Sequence, residues 1–297
     1  MKKEIIVGVD IGGTSISAGR IIDKKIEKIC SRPTGAHRSA NEILETLYEV
    51  VEDVLMPNTF GIGVGVPGLL NAEKGEILNI SNIQAWKNLP LKQELEKRFN
   101  IPVYTNNDAN CFAIGEKHFG KGRKYSNFMA IALGTGVGGG VIINDKLHSG
   151  MFGGAGEIGC WPYEGENFEA FCGSFFFIKK NNITGEKLYE KAINGDQEAK
   201  EIFLQFGRHI GKLIKHILFV LAPEAVIIGG SISKSFDLFE PGIHKELCDF
   251  PFDALREKLA IEQSDLNDIA ILGAGGLYYD HEISTTNQRS KKSTIKL

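Results

Sequence analysis

Apolar residues recur along this chain in two rhythms, one of period two and one of period near 3.6. A continuous apolar run, Ile5 to Val9, leads into Asp10-Ile11-Gly12-Gly13-Thr14 and then into the alternating stretch Ser15 to Ile22. The same order returns at Met129 to Leu133, Gly134-Thr135-Gly136-Val137-Gly138-Gly139-Gly140 and Val141 to Ile143. Each reads as strand, tight glycine turn, strand. Helical spacing sets in at Ala40 to Met56, with Ile43, Leu44, Leu47, Val50, Val51 and Leu55 on one face. Phe60 to Val66 predicts a buried strand ending at the turn Pro67-Gly68. Leu91 to Phe99 predicts a charged surface helix, Ile101 to Thr105 a strand and Ala109 to Lys117 a helix. Beyond the second glycine turn, Glu186 to Ile193 and Glu198 to Leu221 read as helices. Ala225 to Ile228 reads as a strand entering Gly229-Gly230-Ser231, and Ile269 to Leu272 as a final strand entering Gly273-Ala274-Gly275-Gly276.

Strands interleaved with helices predict an α/β protein, and the repeated glycine hairpin predicts two lobes. No linker rich in Pro, Gly and Ser separates them, so a boundary near residues 115 to 125 reads as a hinge, with the ligand expected in the cleft between lobes. The expected division is 1–117, 118–282 and a flexible tail over 283–297. At 297 residues, two ordinary domains fit the length. Hydrophobic content of 42% with 24% charged residues is that of a soluble globular enzyme. A net charge of −3 without a large basic block argues against nucleic acid as the main partner. No apolar run is long enough for a membrane span, and the N-terminus lacks the pattern of a signal peptide. Five scattered cysteines, an odd number, fit reduced thiols and a cytoplasmic location.

The glycine turns carry the first candidate chemistry. Without a Cβ, the backbone amides of Gly12, Gly13, Gly134 and Gly136 can approach an anion closely and form a nest for it. Thr14 and Thr135 add hydroxyl donors, and Asp10 offers a hard oxygen suited to hydrated Mg²⁺. Two such hairpins would grip a polyphosphate. A short polar run, Asn106-Asn107-Asp108-Ala109-Asn110, follows the strand that ends at Thr105. Asp108 has two readings: N-cap of the next helix, or general base for a hydroxyl attacking a γ-phosphate, with Asn107 positioning that hydroxyl.

In that order, the Asp-Ile-Gly-Gly-Thr loop, the Asn-Asp-Ala-Asn run and the Leu-Gly-Thr-Gly-Val-Gly-Gly-Gly loop resemble the ROK family of sugar kinases. The likeness extends through Val66-Pro67-Gly68, Ala155-Gly156-Glu157-Ile158-Gly159, Ile228-Gly229-Gly230 and Leu272-Gly273-Ala274, covering about residues 4 to 280. It implies a two-lobed actin/hexokinase-like fold, a duplicated ribonuclease H-like unit with a cleft between lobes. It implies Asp10 as the aspartate organising Mg²⁺ through water, with Gly12, Gly13 and Thr14 around the phosphates. Gly134, Thr135 and Gly136 match the second phosphate loop, and Gly229 and Gly230 the adenosine side of ATP. Asp108 matches the catalytic base, Asn107 a sugar ligand and Glu157 the carboxylate on the sugar hydroxyls. Gly68, Asn82 and Glu169 match residues lining the sugar pocket.

One departure stands out. The family pattern follows Gly-Glu-Ile-Gly with a His and a cluster of three cysteines that bind a structural zinc. Here Cys160 replaces that His and Cys172 is the other nearby cysteine, so no zinc site is expected. Phe168, Phe171, Phe175, Phe176 and Phe177 could pack the loop in its place. The expected activity is ATP-dependent phosphorylation of a hexose or N-acetylhexosamine by a protein that, by family analogy, forms a homodimer. The alternatives are a kinase for another sugar, such as fructose or N-acetylmannosamine, and a sugar-sensing regulator. Regulators of this family carry a DNA-binding module before the kinase-like core, for which the first strand at Ile5 leaves no room.

Overall fold

The computed structural model describes residues 3–80 and 82–294, with the side chains at 79, 180 and 283–294 left aside. Contacts divide the chain into two compact units. The first combines residues 1–123, 146–155 and 266–297, and the second residues 124–145 and 156–265.

In the first unit, β1 (Ile5–Ile11), β2 (Ser15–Ile22), β3 (Lys25–Pro33) and β4 (Gly61–Val66) are followed by the short hairpin β5 (Leu69–Asn71) and β6 (Glu76–Asn79). Then comes β7 (Val103–Asn107). The helices are α1 (Ala40–Glu52), α2 (Leu91–Phe99) and α3 (Asp108–His118). The main sheet runs β3-β2-β1-β4-β7. Its β1, β4 and β7 are parallel, with Asp10 opposite Gly65 and Gly65 opposite Asn106. Parallel strands end on a common edge, so Asp10 and the Asn106–Asp108 run are brought to one place.

The helical stripe read from Ile43 to Val51 lies buried against Val7, Val9, Ile62 and Val64 of the sheet. Ser39 starts α1 with a capping box, accepting from Glu42 N–H while its own N–H donates to the Glu42 carboxylate. Trp86 is buried in the same core and donates its indole N–H to Ala40 O at 3.3 Å, which anchors the segment carrying Asn82.

The second unit holds β8 (Phe128–Leu133) and β9 (Val137–Ile143), with β10 (Lys146–Leu147) following in the first unit's share of the chain. It continues with β11 (Pro162–Tyr163), β12 (Glu166–Asn167), α4 (Phe168–Cys172), α5 (Gly185–Ile193) and α6 (Gln197–Val220). It closes with β13 (Ala225–Gly229), α7 (Phe236–Leu247), α8 (Asp253–Lys258) and β14 (Ala260–Gln263). Its strands are ordered β9-β8-β13-β14, with β13 parallel to β8. The core is strongly aromatic. Phe168, Phe171, Phe176 and Phe177 join Phe203, Phe206 and Phe239, whereas Phe175 remains 40% exposed.

The chain ends in α9 (Ile269–Thr294), and here structure and sequence reading part. Ile269 to Leu272, expected as a strand, is the first turn of this helix. A short apolar run does not distinguish strand from buried helix, and the glycines that follow suggested a turn. They serve close packing instead. A Cβ on Gly273 would lie 1.9 Å from Cys111 O of α3, and one on Gly63 of β4 would lie 1.8 Å from Ala274 O. Helix α9 therefore lies with its backbone directly on the sheet and on α3. The tail expected from residue 283 falls, for its side chains and for residues 295–297 entirely, outside the described residues. Among the described residues, no helix is long and apolar enough to cross a membrane.

Gly63→Ala is expected to lower stability by about 3 kcal/mol in urea unfolding, because backbone opposes the added methyl and cannot swing aside. Gly185→Ala, whose Cβ would meet only the Phe177 ring at 3.6 Å, is the matched control. It should leave stability unchanged or raise it by up to about 1 kcal/mol.

Candidate active site

Two groups of candidate residues emerge, one in each unit. In the first unit, the turn between β1 and β2 is closed by Gly12 N–H donating to Ser15 O at 2.9 Å. Asn82 packs against it, since a Cβ on Gly13 would stand 2.9 Å from Asn82 Cβ. Thr14 is exposed at its tip. Asp10, at the end of β1, is largely buried. Burial first, and the Asp108 charge second, push its carboxyl up from 3.8 to about 6.

Asp108 itself opens α3 and is exposed. The helix cap is Asn107, whose Oδ1 accepts from Ala109 N–H at 2.8 Å and from Asn110 N–H at 3.4 Å. Asn107 Nδ2 donates to Gly68 O at 3.1 Å, which ties the Pro67-Gly68 turn to the same point. Asp108 Oδ1 accepts from Ala109 N–H at 2.8 Å. With the cap supplied by its neighbour, the exposed Asp108 carboxylate stands at the positive end of α3.

Behind these residues lies a buried amide network that the sequence reading missed. Asn106 Oδ1 accepts from Asn107 N–H at 2.9 Å and from Asn110 Nδ2 at 2.9 Å. Asn110 Nδ2 also donates to Gly153 O at 3.3 Å, and Asn106 Nδ2 to Ser149 Oγ at 3.3 Å. Asn106 lies near the end of β7 and Asn110 in the first turn of α3, so their contact depends on the bend between strand and helix, and only the polarity of the run signalled it. The network pins residues 149–153 to the start of α3.

In the second unit, Gly134 N–H donates to Gly136 O at 3.0 Å, closing the turn between β8 and β9. Thr135 is exposed at its tip. The parallel pairing of β13 with β8 brings Gly229 opposite Ala132. Gly230 follows at φ +87°, where a Cβ would lie 2.3 Å from Leu133 O. Ser231 Oγ lies 3.7 Å from the Cβ position of Gly134, so the two glycine turns adjoin. Glu157 lies 4.0 Å from the Cys160 thiol, which burial and the charges of Glu157 and Glu169 push up. Glu169 has a second contact: its Oε2 accepts from Val137 N–H at 3.1 Å, at the end of the glycine turn. The sequence reading placed Glu169 beside a sugar, and the structure seats its carboxylate on the second glycine turn.

Thus Asp10, Gly12, Gly13, Thr14, Gly68, Asn82, Asn107 and Asp108 gather in the first unit, and Gly134, Thr135, Gly136, Glu157, Glu169, Gly229 and Gly230 in the second. A partly buried carboxylate beside an exposed one has the donor chemistry of a hydrated divalent ion. Among the described residues, no three His, Cys, Asp or Glu side chains converge as a metal site.

The model of the ROK family matches residues 6–280. The chain belongs to the ROK family. It is 30% identical to a glucokinase of Thermotoga maritima over 93% of this chain and 98% of that one. It is 32% identical to an N-acetyl-D-glucosamine kinase of Pasteurella multocida, covering 81% of this chain and 88% of that one. A xylose repressor of Caldicellulosiruptor bescii is 29% identical over 90% of this chain and 76% of its own. The crystal structure of a ROK glucokinase from Streptomyces griseus in complex with glucose and AMPPNP superposes with a TM-score of 0.76 at 26% identity, covering 92% of this chain and 98% of that one. The α/β fold is therefore that of the ROK sugar kinases, and the family spans kinases and repressors alike.

The raised carboxyl of this ROK protein has a measurable consequence. Because Asp10 ionises at higher pH in the folded chain than in the unfolded one, ionisation opposes folding. That cost is absent below about pH 4, grows as pH rises, and is complete above about 6. Asp10→Asn should therefore be more stable than wild type by about 1–3 kcal/mol near neutral pH without divalent cations. The gain should vanish on acidification to below about pH 4 in pH-resolved thermal unfolding.

Proposed function

We propose that this chain is an ATP-dependent sugar kinase that phosphorylates a hexose or N-acetylhexosamine, with Asp108 as general base. The observation that supports this reading is the division of roles at the start of α3: Asn107 caps the helix, and Asp108 stands exposed beside the partly buried Asp10. A helix cap alone would need only one of them. The glucokinase and N-acetylglucosamine kinase relatives support the sugar as acceptor.

In this reading, Asn107 and Asn82 orient the acceptor hydroxyl, and Glu157 holds other hydroxyls of the ring. Asp108 takes the hydroxyl proton as the oxygen bonds to the γ-phosphorus and the bond to the β–γ bridging oxygen breaks, leaving ADP. Amides of Gly12, Gly13, Gly134 and Gly136 and the hydroxyls of Thr14 and Thr135 hold phosphate oxygens. Gly229 and Gly230 leave room for the adenosine. Asp10 would hold Mg²⁺ through water; when bound, that ion supplies charge neutralisation on the phosphates. Its proton affinity means that Mg²⁺ binding should weaken below about pH 6.

No zinc is assigned a role. Cys160, at the position of the family histidine, is exposed, and Cys172 is buried. Metal analysis of the purified chain should find well under one zinc per chain; stoichiometric zinc that survives dialysis contradicts this.

The xylose repressor relative keeps a second reading open, a sugar-binding regulator without turnover. An ADP-release assay across glucose, N-acetylglucosamine, N-acetylmannosamine, mannose and fructose separates the two. A kinase releases ADP with at least one of them, and a regulator binds sugar without doing so. Asp108→Asn should lower kcat by roughly 10²–10⁴-fold while sugar affinity changes only a few-fold. Near-normal kcat in that variant would remove Asp108 from the chemistry.

A further inference from the structure

Thr34 lies immediately beyond β3 and is completely buried. Its Oγ1 donates to Gly12 O at 2.6 Å, and its N–H donates to Thr14 O at 2.9 Å. One residue therefore grasps two carbonyls of the first glycine turn. A trans peptide is planar, with N–H and C=O pointing in opposite directions. The described chain has no cis peptide. Drawing the Gly12 carbonyl toward Thr34 thus turns the Gly13 N–H to the opposite side, and drawing in the Thr14 carbonyl does the same for the Ser15 N–H.

Thr34 is held in turn. Its carbonyl accepts from Arg38 Nη2 at 2.8 Å, and the same nitrogen donates to Thr46 Oγ1 of α1 at 2.8 Å. Gly35, at φ +61°, turns the chain so that Arg38 folds back over it. A Cβ there would meet Arg38 Nε at 2.2 Å. The buried face of α1 is thereby linked through Arg38 and Thr34 to the glycine turn.

We propose that Thr34 is a positioning residue for the nucleoside triphosphate. It holds the amide of Gly13 and the tip bearing Thr14 in the orientation that receives phosphate oxygens before the donor arrives. An unconstrained glycine-glycine pair samples many conformations, and fixing one in advance removes that entropic cost from binding. The proposal rests on the kinase reading of the glycine turn. A purely structural clip would predict something different, a general loss of stability felt equally by donor and acceptor.

Thr34→Val keeps the shape and removes the donor, and Thr34→Ser keeps the donor. Arg38→Met releases the Thr34 carbonyl, and with it the Thr46 hydroxyl, while leaving the Thr34 hydroxyl in place. Each is assayed for KM of MgATP and of the sugar found in the screen, for MgADP affinity by calorimetry, and for thermal stability. Thr34→Val should raise KM for MgATP and Kd for MgADP by roughly fivefold or more, with KM for sugar within about twofold. Thr34→Ser should return both nucleotide values to within about twofold of wild type. An unchanged MgADP Kd in Thr34→Val, an equal rise for sugar and nucleotide, or a serine variant as weak as the valine variant overturns the proposal. If Thr34→Val does not fold, Arg38→Met should still raise Kd for MgADP by roughly two- to threefold, and no change there overturns it. Wild type that neither binds MgADP nor releases ADP overturns the kinase reading as well. Wild type that does both, with variants indistinguishable from it, overturns only the role of Thr34.

Discussion

The burial of the Asp10 carboxyl within the field of Asp108 is the constraint on which the candidate site of the first unit depends. Two carboxylates come into each other's field only because β1, β4 and β7 run parallel and end on one edge of the sheet. The cost of that approach appears at Asp10, whose carboxyl is pushed up to about 6 by burial and by its neighbour. Like charges held together by the fold rather than by attraction mark a place built for something else, since folding alone would separate them.

Holding those charges in place requires rigidity, and α9 supplies much of it. With Gly63 and Gly273 at the contacts, its backbone approaches β4 and α3 so closely that no side chain could intervene. Helix α3, which begins at Asp108, thus packs side by side with a helix that itself lies on the sheet. Asn106 and Asn110 then fasten residues 149–153 to the same spot through buried amides. Breaking these bonds would leave further buried polar atoms unpaired beside Asn110 Oδ1, which has no hydrogen-bond partner, and that holds the segment in place. Precision at Asp108 comes from packing at its back and hydrogen bonding beneath it.

Much of this was legible in the sequence where the physical demand is local. A glycine turn between two strands, a polar run after a strand and a helical stripe such as Ile43 to Val51 each follow from the needs of a few adjacent residues. The α9 segment was misread because its glycines answer a demand from elsewhere in the chain, the close approach of Gly63 and Cys111. Thr34 was invisible for the same reason. Its partners Gly12 and Thr14 lie about twenty positions earlier, and nothing in Pro33-Thr34-Gly35 announces them. Glu169 adds a contact of the same kind: its carboxylate accepts from Val137 N–H, thirty-two positions earlier, which its place in the chain does not announce.

Glu169 shows how one side chain can join two parts of the second unit. Its charge reaches Cys160, as does that of Glu157, so the two glutamates share one neighbourhood with the thiol. Its carboxylate also accepts from Val137 N–H, where the second glycine turn passes into β9. A single acidic side chain thus ties that turn to the segment carrying Cys160, as Asn107 ties the start of α3 to the Pro67-Gly68 turn through the two polar atoms of its amide.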